Sequence, residues 1–338
     1  MGAQSVAEKL DGNATGGAAP LVVVRGLSKY FEAGGGFLTA AKPPVRAVES
    51  VDLDVKPGEV LGVVGESGSG KSTLGRLMLR LIEPTKGSVF FDGHDLGRLG
   101  ASELRRFRRH MQMIFQDPFA SLNARMTVGA ALLEPLALHR GLRGQSGQDA
   151  AVALLEKVGL SGDHMKRFPR MFSGGQRQRI AIARALASDP RFIVADEPVS
   201  ALDVSIQAEV INLMQTLQAD LGLTLVFISH DLSVVEVITD RVMVLYLGRV
   251  MELAPTETLY SRPAHPYTAA LLQAAPGVTS GRKQVLKGEI PSPANPPSGC
   301  VFRTRCPFAI DACSTTVPEL RHVSEHHLKA CIRDDLSL

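Results

Sequence analysis

Residues Gly65-Glu66-Ser67-Gly68-Ser69-Gly70-Lys71-Ser72-Thr73 follow the pattern G-x-x-x-x-G-K-[ST]. Glycines let the backbone bend until successive N–H groups face one phosphate, and a following helix adds its positive end. Lys71 is then placed to reach the outer phosphates of a nucleotide, and the Ser72 hydroxyl to ligate Mg²⁺. A chance glycine-rich turn would not explain the apolar run VLGVV before the loop or the helical periodicity after it. A second acidic element, FIVADEP, ends an apolar strand on Asp196, which can hold Mg²⁺ through water. Glu197 follows, and beside a γ-phosphate it would serve as general base for the attacking water. Taken alone, the acidic pair could simply cap a helix; after a phosphate loop it points to ATP hydrolysis.

A different chemistry is suggested near the C-terminus. All four cysteines, Cys300, Cys306, Cys313 and Cys331, lie there in the spacing C-x₅-C-x₆-C-x₁₇-C, and the preceding 299 residues contain none. Unrelated buried thiols are the bland account, which the clustering disfavours. Disulfides fit poorly with a chain expected in the cytosol. Structural zinc takes four soft ligands, but ribbons pair them two to four residues apart, closer than any gap here. An iron–sulfur cluster takes four thiolates at varied spacing. Spacing therefore indicates a metal of undecided kind. The segment GEIPSPANPPSG before the thiols reads as an extended linker. A tail so poor in apolar residues has little core of its own, and metal ligation could supply about 10–16 kcal/mol of folding free energy. His322, His326 and His327 read as surface residues.

These groups need a scaffold. LVVVRGLSKYF and VRAVESVDLDV read as strands around a Gly/Pro-rich excursion, EAGGGFLTAAKPPV. Further strands are GSVFFDG, MQMIFQD, RFIVADEP, TLVFISHD and RVMVLYLG. Helical patterns include KSTLGRLMLRLIEP, expected to run to Pro84, AAVALLEKVGL and IQAEVINLMQTLQADLG. Alternating strands and helices imply a parallel sheet wrapped by helices, with a helical insert at about 117–187. The expected organisation is a disordered tail over 1–20, a nucleotide-binding domain over 21–258 and an extension over 259–338.

Composition narrows the function. The chain has 338 residues with 37 basic against 34 acidic ones, a balance that does not favour nucleic acid as partner. The run Arg105-Arg106-Phe107-Arg108-Arg109-His110 reads as a solvated helix face. No stretch approaches the roughly 18 apolar residues of a membrane span, and no signal peptide is recognisable.

Further motifs carry a family resemblance. FSGGQRQR contains Ser173-Gly174-Gly175-Gln176, and with FQDP, SALD and ISHD in order the chain resembles the ATP-binding-cassette ATPases. The resemblance implies an α/β fold: a P-loop NTPase core with an antiparallel β subdomain and an inserted helical subdomain. It makes Gln116 the glutamine that touches Mg²⁺ and water, and His230 a switch on the γ-phosphate. Ser200-Ala201-Leu202-Asp203 becomes a loop at a dimer interface, and Tyr30 the aromatic stacked on adenine. Ser173–Gln176 would complete the ATP site of a second cassette. RPAHPYTAALLQAAP and GEIPSPANPPSGCVFRTRCPFAIDAC are similar to the C-terminal extension of oligopeptide and dipeptide permease ATPases. That branch implies an importer motor, and the F-type dipeptide subunit is the nearest likeness. The implied partners are a D-type cassette, two membrane permeases and an external binding protein. The motor would sit peripherally on the cytoplasmic face of the membrane. Nickel or glutathione stand as alternative cargoes, and a soluble cassette ATPase as the remote alternative. For Cys300, Cys306, Cys313 and Cys331 the resemblance implies a [4Fe–4S] cluster, with Zn²⁺ as runner-up.

Overall fold

The computed structural model describes residues 19–33, 42–117, 122–274, 288–336 and 338. The expected disordered tail, apart from its last two residues, and the stretch 34–41 of the Gly/Pro-rich excursion lie outside these.

Among the described residues, two sheets carry the molecule. The first is antiparallel, in the order β2-β1-β4-β5, from β1 (Val22–Ala33), β2 (Lys42–Val55), β4 (Lys86–Phe91) and β5 (His94–Asp95). Alternation builds it: Val51, Leu53 and Val55 of β2 are buried, whereas Asp52 between them is exposed.

The second sheet holds the nucleotide motifs. Its parallel centre runs β9-β3-β8-β7-β6, formed by β3 (Val60–Val64), β6 (Met111–Ile114), β7 (Phe192–Asp196), β8 (Thr224–Ile228) and β9 (Arg241–Tyr246). Every residue of β3, β7 and β8 is buried, as strands covered on both faces require. Helix α1 (Lys71–Met78) follows the phosphate loop. It stops short of Pro84 because the chain turns at Arg80, which takes φ +47° and closes a bond from the Leu81 N–H to the Arg76 carbonyl. After α2 (Ala101–Phe107), which exposes Arg105 and Arg106, and strand β6, the helical insert supplies α3 (Val128–Arg140), α4 (Gly144–Lys157) and α5 (Gly174–Leu186). Their apolar faces meet through Leu132, Leu136, Leu155 and Ile180. Helices α6 (Val204–Leu221) and α7 (Leu232–Ile238) return the chain to the sheet.

The extension corrects the picture of a separate metal-held tail. Strand β10 (Arg249–Pro255) pairs antiparallel with β9, and beyond it lie β12 (His327–Lys329) and β11 (Arg321–Ser324), so the last strands continue the nucleotide-binding sheet. Helix α8 (Thr256–Ser261) runs across the expected boundary at 258, and α9 (Pro266–Ala274) follows it. Cys300, Val301, Phe302 and Cys313 belong to the same apolar cluster as Tyr246, Leu259 and Tyr267. The extension thus borrows a core rather than needing its own. Glu252 of β10, fully buried, accepts from the Ala264 and His265 N–H groups at 2.7 and 2.9 Å and meets His327 Nε2 at 2.7 Å. His327 is therefore a buried tie between strands and not a surface residue.

The four thiols do gather, lining one small pocket with His265, Phe302 and Phe308. All four are free, and among the described residues no group of three or more His, Cys, Asp or Glu side chains is arranged to hold a metal ion. The expected iron–sulfur cluster, and zinc with it, is thereby corrected. The thiols instead contribute to the shared apolar core, Cys300 and Cys313 within it and Cys306 packed against it, where burial pushes the Cys300 thiol up and the Cys306 thiol up to about 11.

Candidate active site

The phosphate loop joins the buried end of β3 to α1. Gly65 has φ +149° and Gly70 φ +103°; a Cβ at these positions would stand 2.2 Å from the Leu245 carbonyl oxygen and 2.1 Å from that of Ala47. Only glycine lets the loop pass so close to its neighbours. Lys71 Nζ donates to the Gly65 and Glu66 carbonyls at 2.7 and 3.1 Å, which folds its ammonium back into the loop. Burial holds the Lys71 pKa below the usual lysine range, opposed by Glu197, Asp196 and Glu66.

Next to the loop, Ser72 Oγ donates to Asp196 Oδ1 at 2.7 Å. Asp196 is 2% exposed; burial raises its carboxyl pKa and the Ser72 bond opposes that rise. This pair is an all-oxygen donor set, of the kind that suits Mg²⁺. Glu197 leaves the strand with φ +47°, so its side chain diverges from that of Asp196. Its Oε2 accepts from Gln116 Nε2 at 2.8 Å and lies 3.3 Å from His230 Nδ1. Gln116 and His230, from separate places in the chain, thus meet at one carboxylate.

These groups open onto a cleft of about 500 Å³ lined by Ser67 to Thr73, Gln116, Glu197 and His230. Gly65, Glu66 and Asp196 stand behind this lining. Val45, Ala47 and Pro293 also line the cleft, and the reading of motifs missed all three. Pro293 reaches it because its carbonyl accepts from the Arg46 N–H at 3.1 Å. The proline-rich segment is therefore a wall of the cleft as well as a linker.

Tyr30 is not among the lining residues. Its hydroxyl donates to Glu49 Oε1 at 2.8 Å. Phe31 pairs across the strands with Val45, which lines the cleft, and cross-strand partners share a face. Phe31, 41% exposed, therefore shares a face with the cleft wall, and neither aromatic is itself among the cleft-lining residues. Strand parity here is set by register shifts on both sides of the Tyr30–Phe31 pair, which periodicity does not reveal.

Ser173–Gln176 stand elsewhere. Ser173 caps α5: its Oγ accepts from the Gln176 N–H at 3.3 Å, and Gln176 Oε1 accepts from the Ser173 N–H at 3.1 Å. Gly174 and Gly175 lie against Leu202 and Ile206, so this turn packs on the loop Ser200–Asp203 that leads into α6. Ser200 Oγ donates to the Glu197 carbonyl at 3.1 Å, and Ala201 and Leu202 follow it. That loop runs directly from the acidic pair to the capping turn.

Known proteins resemble this chain in sequence and fold. The ABC transporter family profile matches residues 48–200, and that of the oligopeptide/dipeptide transporter C-terminal region matches residues 251–313. A Brucella ovis protein named for peptide import and ATP binding is 59% identical over 321 residues, covering 94% of this chain and 99% of its own length. The oligopeptide transport ATP-binding protein AppF of Bacillus subtilis is 50% identical over 317 residues, covering 92% and 96%. Among solved structures, a dimeric ATP-binding cassette in a post-hydrolysis state bound to ADP and Pi is 31% identical with a TM-score of 0.62, covering 70% of this chain and 98% of its own. With a phosphate loop, an acidic strand end and a carboxylate facing glutamine and histidine in one cleft, this chain belongs to the ABC transporter family of ATP-hydrolysing cassettes, in the group with the oligopeptide/dipeptide transporter C-terminal region.

Proposed function

We propose that this chain is the motor subunit of an importer for dipeptides and oligopeptides, driven by ATP binding and hydrolysis. The observation that carries the reading is the Glu197 carboxylate, held between Gln116 and His230 at the mouth of the phosphate loop. The names of its relatives support peptide as the cargo. Among the described residues no helix is long and apolar enough to cross a membrane, which agrees with permeation through separate subunits. The motor would then sit on the cytoplasmic face of the membrane against two permeases, fed by an external binding protein.

In this account the loop N–H groups and Lys71 bind the β- and γ-phosphates, and Phe31 stacks on the base in place of Tyr30. Ser72, Asp196 and Gln116 would hold Mg²⁺, which when bound neutralises charge developing on the phosphate oxygens. Glu197 takes the proton of the attacking water as its oxygen bonds to the γ-phosphorus and the bond to the bridging oxygen breaks. His230 and Gln116 orient that carboxylate. Ser173–Gln176, standing away from this chain's own cleft, would face the γ-phosphate of a second cassette, a D-type subunit, with Ser200–Asp203 at the shared interface. Closure around two ATP molecules and reopening after hydrolysis would be the mechanical output.

The test is Glu197→Gln in the assembled complex. ATP binding persists and hydrolysis is lost; unchanged turnover would remove Glu197 from the role of base.

A further inference from the structure

Glu66, the second residue of the phosphate loop, is gripped from the extension at both ends. Its N–H donates to Tyr267 Oη at 3.0 Å. Its carboxylate accepts two bonds from Arg305, at 2.5 and 2.9 Å, across 239 positions of sequence. Arg305 is 9% exposed, its guanidinium carbon stands 5.8 Å from the Tyr246 ring centroid, and its Nη1 lies 3.5 Å from the Tyr246 hydroxyl. Tyr246, Tyr267 and Phe302 form one aromatic cluster with ring centroids 4.8 to 5.3 Å apart, so both grips on Glu66 rest on the same packed base.

The other side of Glu66 faces the chemistry. Its carbonyl accepts from Lys71 Nζ and from the Ser69 N–H, each at 3.1 Å. A continuous path thus runs from Arg305 through Glu66 to the ammonium that meets the outer phosphates. A bidentate guanidinium–carboxylate pair fixes orientation as well as distance. Fixing this peptide before ATP arrives removes an ordering cost that binding would otherwise carry.

We propose that Arg305 of the extension is a positioning residue for ATP: it holds the leading peptide of the phosphate loop, and Lys71 upon it, in the nucleotide-binding shape. The proposal rests on the assignment of this loop as the ATP site. It gives the extension a part in nucleotide binding. Strain or docking on the extension would be transmitted to nucleotide affinity through the Arg305–Glu66 ion pair and the Tyr267 hydrogen bond beside it.

The experiment is steady-state ATPase kinetics on the full-length chain assembled with its partner cassette and permeases, with thermal melting of each variant and Lys71→Ala as control. Arg305→Met should raise KM for ATP about tenfold, the loss expected of one hydrogen bond to a charged group, while kcat changes much less. Arg305→Lys, which keeps a charge and loses the bidentate geometry, should fall between. Adding Glu66→Gln to Arg305→Met should restore part of the affinity, because it removes a carboxylate left without its cation. A merely structural role would lower the amount of active protein, and so apparent kcat, with KM unmoved. The proposal is overturned if Arg305→Met melts like the parent and keeps its KM, or if the Glu66 and Arg305 substitutions act independently. If the parent and Lys71→Ala show the same KM, the assignment of the loop itself fails instead.

Discussion

Phe302→Ala tests whether the extension is held by a core shared with the nucleotide-binding sheet. Phe302 is fully buried, and its ring lies 5.3 Å from Tyr246, 5.2 Å from Tyr267 and 5.9 Å from His265. Truncation removes a buried aromatic and leaves a cavity, at a typical cost of about 3–5 kcal/mol. Little collapse can offset this, since the facing rings are pinned by their own bonds: Tyr267 Oη to the Glu66 N–H and Tyr246 Oη to Arg305. At about 2 °C per kcal/mol for a large domain, the melting temperature should drop by about 6–10 °C. The assay is thermal melting with limited proteolysis across 288–336. The variant should be cut within the extension well below the temperature at which the remaining sheet unfolds. A variant that melts and resists protease like the parent would refute the shared core.

Two further expectations concern the base and the buried histidine. Phe31→Ala should weaken ATP binding by about 1–3 kcal/mol, the usual worth of an aromatic stacked on a base, whereas Tyr30→Ala should leave ATP affinity close to that of the parent; isothermal titration of both variants decides, and the opposite order would return the stacking role to Tyr30. His265 is fully buried, its Nδ1 accepts from the Tyr267 N–H at 3.0 Å, and burial holds its pKa down to about 4, opposed by nearby Glu252. A histidine whose folded pKa lies below its unfolded value of about 6.5 supplies stability that is present above that pH and lost as pH falls toward the folded value. Denaturant midpoints should therefore decline between about pH 6.5 and pH 4, and His265→Gln should flatten that decline; an unchanged slope would show that another group governs it.

The nucleotide motifs were legible because each is contiguous. Gly65–Thr73 states its own backbone path, and the apolar run before Asp196 states a buried parallel strand. Their convergence was less direct: Gln116, Glu197 and His230 meet because β6, β7 and β8 are neighbours, an order that sequence spacing does not contain. The extension was the hardest part to read. Its partners lie far away in the chain, as in Arg305 with Glu66 and His327 with Glu252. Four thiols in a proline-rich tail suggested a metal because no core was visible for them; the core belongs to β9 and α9. Whether Tyr30 or Phe31 shares the face of the cleft wall turns on a single step of strand parity, decided by shifts in the β1–β2 register.

The central claim, that this cleft hydrolyses ATP to drive peptide uptake, is tested most directly in sealed vesicles. These would carry the assembled importer, with ATP on the cassette side and a labelled dipeptide and binding protein on the other. The parent should accumulate dipeptide in proportion to ATP consumed, and Glu197→Gln should bind ATP and do neither. Peptide uptake that continues in the Glu197→Gln complex, or ATP turnover indifferent to the dipeptide and its binding protein, would contradict the account.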